Sequence, residues 1–394
     1  MYTEASKTIT FIVTKDCQLA CKYCYLVGKN TKERMTWDVA KQAIDYILDN
    51  EYDEMFYTES VVFDFIGGEP FLEIELIDRI CDYIKSELFQ RNHHWFNSYR
   101  FSFSTNGINY HEEKVQKFIE KNYTHLGIGI TIDGTRQKHD LNRIWKGDGI
   151  ERGSYDDVVR NIPLWLKQFP NSGTKVTISS ADIPYIKESV LHLYSLGIHE
   201  VNINCVFEDV WSDNDDKIFE SQLIELADAI IDNNLYRDYE CSFFSEYIGK
   251  PMDRKLDNVN WCGAGHMLSI DAAGNFYPCT RFAQYSLRDK KAWIIGNIND
   301  GINKNRLRPF LTLDRCTQST QECIECEVAS GCAWCQGENY DTAETPTIYR
   351  RATAICKMHK ARVRANNYYW NKLYRKLELE GLDKPTPKAF HPNC

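Results

Sequence analysis

Cys17, Cys21 and Cys24 follow a Cys-x3-Cys-x2-Cys spacing. Thiolates are soft ligands suited to iron and zinc. Three of them can hold three irons of a [4Fe–4S] cube and leave the fourth iron without a protein ligand. The same three can hold zinc if a residue such as His125 or His139 completes the set, so on the cysteines alone both readings are open. A second group falls late in the chain: Cys262, Cys279, Cys323, Cys326, Cys332, Cys335 and Cys356. The chain has 15 cysteines, and its polar start shows no signal-peptide architecture. The default location is then the cytoplasm, where thiols stay reduced and clustered cysteines read as metal sites. Cys81 and Cys205 lie in apolar runs and read as core, while Cys241 and Cys394 read as non-ligands.

Short polar motifs punctuate the first half. Gly67-Gly68-Glu69-Pro70 pairs glycines, which let backbone approach a ligand closely, with a carboxylate that can accept from an ammonium. Ser104-Thr105-Asn106-Gly107 offers small hydroxyl and amide groups for ribose or carboxylate contacts, and its bland reading is an Asn-Gly turn. Thr131-Ile132-Asp133-Gly134 precedes His139, Asp140 and Arg143. Arg143 can pair with a cofactor carboxylate, or be an ordinary surface arginine. Asp133 suits ribose hydroxyls or the lining of a substrate site.

These motifs need strands to carry them. Strands are read at Thr8–Val13, Val61–Ile66, Tyr99–Ser104, Leu126–Ile132, Lys175–Ser179 and Glu200–Asn204. Helices are read at Trp37–Leu48, Ile74–Phe89, His111–Glu120, Tyr155–Gln168, Ile186–Leu196 and Ile218–Ile231. Six strand–helix units argue for an α/β fold with a parallel sheet, closed or partly closed as a barrel, with chemistry at the C-terminal strand ends. From about Tyr236 to Cys356 periodicity is poor and cysteines crowd, so metals are expected to hold that segment. Helix returns over Lys357–Leu379, and Lys384–Cys394, with three prolines, reads as loose. Nothing resembles a membrane span. Net charge is −9, which argues against nucleic acid. The basic run Lys357–Lys376 reads as an exposed helix face.

The three-cysteine loop after the first strand, with Tyr23 as the aromatic residue before the third cysteine, resembles the radical S-adenosylmethionine superfamily. The resemblance covers about residues 8 to 365. In that family the open iron chelates the amino and carboxylate groups of S-adenosylmethionine (AdoMet). One-electron reduction then yields a 5′-deoxyadenosyl radical that abstracts hydrogen from the substrate. The resemblance implies that Gly68 and Glu69 hold the methionine amino group. It also implies that Tyr23, Ser104, Asn106, Asp133 and Arg143 belong to the cofactor site. The late cysteines resemble the SPASM extension, which usually carries two auxiliary [4Fe–4S] clusters, for three clusters in all. By that resemblance Cys323, Cys326, Cys332 and Cys356 hold one cluster. Cys262, Cys279 and Cys335 hold the other, with an open iron or a fourth ligand such as Cys316. The Cys332–Cys335 spacing is two residues where three is common. The implied architecture is a partial (β/α)6 TIM-like barrel over 1–235, a small cysteine-rich SPASM domain over 236–365, and a C-terminal helix and tail over 366–394.

SPASM enzymes mostly modify peptides or proteins. In sulfatase maturation an aspartate follows the second auxiliary cysteine and serves as general base. Here Thr280 stands there, and a threonine is no base near pH 7. The run Tyr277-Pro278-Cys279-Thr280-Arg281-Phe282 looks closest to maturases of cysteine-repeat precursors. The implied reaction joins a substrate cysteine sulfur to carbon as a thioether, with carbon–carbon crosslinking, epimerisation and formylglycine formation as alternatives. A non-catalytic metal scaffold is the alternative of another class, though it has no need of an open iron. The implied partners are a ribosomally synthesised precursor peptide and a one-electron donor such as flavodoxin or ferredoxin. No leader-binding domain is expected, because the sequence starts almost at its first strand. Asp271, Asp133 and Glu69 are the carboxylates to consider as a general base, and none is convincing.

Overall fold

The structure, a computed structural model, describes residues 4–147, 151–260 and 262–383. Cys394 and the proline-bearing tail Lys384–Cys394 lie outside the described residues.

Strand β1 (Glu4–Thr14) pairs parallel with β2 (Thr58–Gly67), which pairs with β3 (Tyr99–Thr105) and then β4 (Leu126–Ile130). Alternation divides the two faces. Phe11, Phe65 and Phe103 stand in register on the outer face, with ring centroids 5.7 Å and 5.2 Å apart. They pack beneath α1 (Trp37–Asp49), α2 (Ile74–Gln90) and α3 (Glu113–Asn122), whose apolar sides are buried. Thr10, Asp64, Ser102 and Gly127 form a polar row on the inner face.

β5 (Thr174–Ile178), β6 (Glu200–Cys205) and β7 (Glu240–Cys241) make a separate parallel sheet. Its join to β4 is slender: a bridge between Thr131 and Lys175, and the Thr174 hydroxyl donating to the Ile130 carbonyl at 2.7 Å. The remaining edge of β1 carries no strand from the second sheet. It pairs parallel with β8 (Leu268–Ile270), which leads antiparallel into β9 (Asn275–Tyr277), β10 (Gly296–Asn297) and β11 (Gly301–Ile302). The result is an α/β partial barrel whose first strand is continued by hairpins from the cysteine-rich region.

Between β4 and β5 come α4 (Arg136–Asn142), α5 (Tyr155–Val159) and α6 (Ile162–Gln168). The single helix expected over Tyr155–Gln168 is therefore two. Pro163, in the first turn of α6, suits a helix start and not an interior. Asn161 spends its side chain on the Gly107 and Ile108 carbonyls, at 2.7 Å and 3.3 Å. Helices α7 (Ile186–Ser195) and α8 (Asp215–Asp232) complete the barrel half.

The cysteine-rich part has only short elements: α9 (Lys304–Thr312), α10 (Arg315–Gln318), α11 (Gln321–Ile324) and α12 (Gln336–Thr342). The long α13 (Cys356–Glu380) returns along α8. Its basic residues face acids there, with Arg364 bonded to Glu220 at 2.6 Å and Lys372 to Asp228 and Asp232 at 2.8 Å each. No described helix is long and apolar enough to cross a membrane.

Candidate active site

Cys17, Cys21 and Cys24 occupy the loop that leaves β1. The loop is tied to the segment after α4, since Ala20 N–H donates to Ile144 O at 2.8 Å and Lys22 N–H to Asn142 O at 3.0 Å. From the other side it rests on the β2 turn. Gly68 N–H donates to Thr14 O at 3.0 Å, and Glu69 N–H to Asp16 O at 2.9 Å. A Cβ at Gly68 would lie 2.1 Å from Asp16 O and 2.9 Å from Cys17 Cβ, so only glycine permits this approach. Cys17 is buried, and desolvation pushes its thiol up to about 11. Burial raises Cys21 as well, against the opposing charge of Arg143. Both thiols are therefore protonated at neutral pH until a metal takes the place of the protons.

Glu69 is fully buried and accepts three hydrogen bonds: from Thr105 Oγ1 at 2.6 Å, Asn106 N–H at 2.7 Å and Phe71 N–H at 3.1 Å. Burial raises its pKa in spite of these donors. Asn106 Nδ2 donates to Gln18 Oε1 at 3.0 Å and approaches Cys17 Sγ at 3.9 Å, which ties the β3 turn to the cysteine loop. Ser104 points to the opposite side of β3 from Thr105 and is exposed.

Tyr23, Asp133 and Arg143 meet as a hydrogen-bonded triad in which Asp133 and Arg143 are buried and Tyr23 is half-buried. The Tyr23 hydroxyl donates to Asp133, and Arg143 donates to the Tyr23 oxygen at 3.1 Å. Asp133 also accepts Thr177 N–H at 3.1 Å. Burial pushes the Asp133 carboxyl up, but Lys138, Arg143 and the tyrosine hydroxyl outweigh it, so the group sits below its ordinary value. Arg143 Nε is buried with no hydrogen-bond partner. His139 is not brought to the cysteine loop, and both its nitrogens are committed, to Asp133 N–H and the Ser154 hydroxyl. His125 stacks on Tyr99 instead.

The late cysteines fall into two groups. The Cys262 thiol feels Cys335, and Cys279 feels both Cys262 and Cys335. Burial pushes Cys262 up to about 11 and Cys279 up to about 12. Separately, Cys332 feels Cys323, Cys326 and Cys356. Cys316, on α10, donates its N–H to Asp257 O at 3.4 Å. Cys81, Cys205 and Cys241 are core residues.

Arg281 connects the first group to the barrel. It stacks over Tyr25 at 4.5 Å, pairs with Glu208 at 2.7 Å and carries its charge beside Cys335. Thr280 lies beside the Tyr25 hydroxyl. A cavity of about 320 Å³ opens beside the cysteine loop, lined by Lys22, Tyr23, Tyr25, Val206, Glu208 and Arg288 among others.

Residues 11–204 match the profile described as Radical SAM superfamily. The chain belongs to the radical SAM superfamily. An uncharacterized protein of Methanocaldococcus jannaschii is 26% identical over 305 residues, covering 77% of this chain and 92% of that one. The serine-type anaerobic sulfatase-maturating enzyme of Bacteroides thetaiotaomicron is 23% identical over 345 residues, covering 80% and 78%. Among solved structures, native anSMEcpe with bound AdoMet and Kp18Cys peptide superposes with a TM-score of 0.63 at 18% identity, covering 95% of this chain and 99% of that one. Streptococcus suis SuiB bound to precursor peptide SuiA gives 0.55 at 15%, covering 89% and 76%. The fold is therefore that of a radical SAM partial barrel with a cysteine-rich C-terminal region like that of anSMEcpe.

Sequence reasoning passed over Thr105, Gln18 and the Tyr25–Arg281–Glu208 bridge. Alternation along Tyr99–Thr105 carried the first signal, because Thr105 shares the buried face of Phe101 and Phe103. At the opposite end of the barrel Glu51, His93 and His94 converge, the one trio of His, Cys, Asp or Glu ligand atoms within 4.8 Å among the described residues. His93 Nδ1 accepts Trp95 N–H at 3.2 Å, which places the neutral ring's proton on the Nε2 facing Glu51. His93 Nε2 is buried and makes no hydrogen bond.

Proposed function

We propose that this radical SAM enzyme matures a ribosomally made peptide by joining a cysteine sulfur to carbon. The observation that carries the reading is the buried Arg143, with its unpartnered Nε–H, beside a loop of three thiols. An orphaned buried donor costs about 1–3 kcal/mol, which a carboxylate ligand would recover. The donor set fits the AdoMet-bound [4Fe–4S] group: three thiolates for three irons, Arg143 for the carboxylate, and the Gly68 turn for close approach.

When bound, the cluster and AdoMet supply a 5′-deoxyadenosyl radical that removes a hydrogen atom from the substrate. In this reading Glu69 fixes the β2 and β3 turns around the cofactor. Tyr23 and Asp133 hold Arg143 in place. Cys262, Cys279 and Cys335 face the substrate side through Arg281, with Cys323, Cys326, Cys332 and Cys356 holding the second auxiliary cluster. The cavity beside Tyr25 receives the peptide. A peptide substrate is supported by anSMEcpe, which binds the Kp18Cys peptide, and by SuiB, which binds the precursor peptide SuiA. Thr280, with no carboxylate to act as a base, favours thioether formation over formylglycine formation.

The test is anaerobic purification followed by iron and sulfide counting and an assay of AdoMet cleavage. About twelve irons per chain, 5′-deoxyadenosine, and a mass loss of two hydrogens from a cysteine-containing precursor are expected. Zinc with no cleavage would leave a metal scaffold as the better account.

A further inference from the structure

The two auxiliary cysteine groups differ in the charge around them. Beside the first, Arg281 is neutralised by Glu208 at 2.7 Å. Beside the second stand two guanidinium groups without a carboxylate partner. Arg351 donates Nη2–H to Cys332 Sγ at 3.1 Å, stacks over Trp334 at 4.6 Å and reaches the Ser319 hydroxyl at 3.5 Å. Arg362, on α13, donates to the Phe243 and Ser242 carbonyls at 3.0 Å and 2.5 Å, and its charge acts on the core thiols Cys205 and Cys241 and, after them, on Cys332. Lys360 faces Cys356, where Glu322 offsets it. Both guanidinium groups are half-buried, and a partly desolvated cation with no anion is costly. The anion available to Arg351 is the thiolate set of Cys323, Cys326, Cys332 and Cys356, and Arg362 adds its charge to the same side.

We propose that Arg351 and Arg362 raise the reduction potential of the second auxiliary cluster above that of the first, making it the electron sink of the molecule. This rests on the cluster assignment proposed above. One-electron reduction adds a negative charge to a cluster, so an uncompensated cation and an N–H···S hydrogen bond both favour the reduced form. The paired Arg281 gives the first cluster much less of this help. With both clusters bound, the electron released as a substrate thiol joins a carbon radical, its proton going to solvent, would reduce the first cluster, pass on to the second and leave to an oxidised one-electron carrier protein.

The experiment is an EPR-monitored redox titration of the anaerobically purified holoenzyme. Cys326→Ala identifies the second cluster by the signal and the four irons it loses. Arg351→Gln keeps an N–H donor and removes the charge. It should shift that cluster's midpoint to more negative potential by a tenfold change in the reduction equilibrium, about 59 mV for one electron. Arg351→Lys should restore most of the difference. Arg362→Gln, which leaves the Cys332 contact intact, should move the same midpoint in the same direction. An unchanged midpoint in whichever Gln variant keeps its full iron overturns the inference and leaves the cluster assignment standing. Equal iron in Cys326→Ala and wild type overturns the assignment itself.

Discussion

At the residue scale, two side chains carry sharp consequences. Arg143 is held by Tyr23 and leaves Nε–H without a partner. Replacing it with Lys keeps the charge and loses the planar fork. Arg143→Lys should weaken AdoMet binding at least about tenfold, on the order of 1.4 kcal/mol, with iron content unchanged; equilibrium dialysis of the anaerobic protein reads this directly. Gly68 allows no Cβ against Asp16 O and Cys17 Cβ. Gly68→Ala should lose about four irons and retain about eight, with far-ultraviolet dichroism unaltered. The chemistry at this scale was largely legible, because thiol spacing and the motifs after each strand are local signals. The Ser104–Thr105 distinction was not carried through: both residues belong to one polar motif, and only strand alternation separates the hydroxyl that reaches Glu69 from the one on the opposite side.

At the scale of elements, the turn leaving β4 is a tight point. Gly134 has φ of 128°, and a Cβ there would lie 2.1 Å from Ser189 Cβ and 2.8 Å from Ser189 Cα on α7. Gly134→Ala should destabilise the chain by about 1–3 kcal/mol, seen as a lower denaturation midpoint, and should displace Asp133 next to it. The strand–helix alternation was readable because each unit has its own hydrophobic period. Two features were not. The break at Asn161 depends on the carbonyls of Gly107 and Ile108, far away in sequence. The pairing of β8 with β1 is a long-range contact between short strands, and no local periodicity announces it.

At the scale of the whole molecule, buried neutral histidines set the response to acid. Burial depresses His93 to about 4 and His139 to about 3, against an ordinary 6.5. Each group binds its proton more readily in the unfolded chain, so the stability it contributes is complete above about pH 6.5 and is lost as pH falls toward the folded value. For His93 the loss at pH 5 is on the order of 2 kcal/mol. His93→Asn, which can still accept from Trp95 N–H, should flatten the decline between about pH 7 and pH 5 by roughly that amount, measured by urea denaturation of both proteins at both pH values.

The hairpins on β1 also bear on how the chain is made. Lys7 of β1 donates to the His266 carbonyl, 259 residues away, just before β8. At a synthesis rate of about 5–20 residues per second, the nascent barrel waits on the order of 10–50 s for the strand that covers this edge. During that interval the edge of β1 opposite β2 is an unpaired template for other chains. A ribosome-associated holdase, slow codons after the barrel, or early docking of α1 and α2 would protect it. Overexpression should therefore favour aggregates of incomplete chains over aggregates of finished ones.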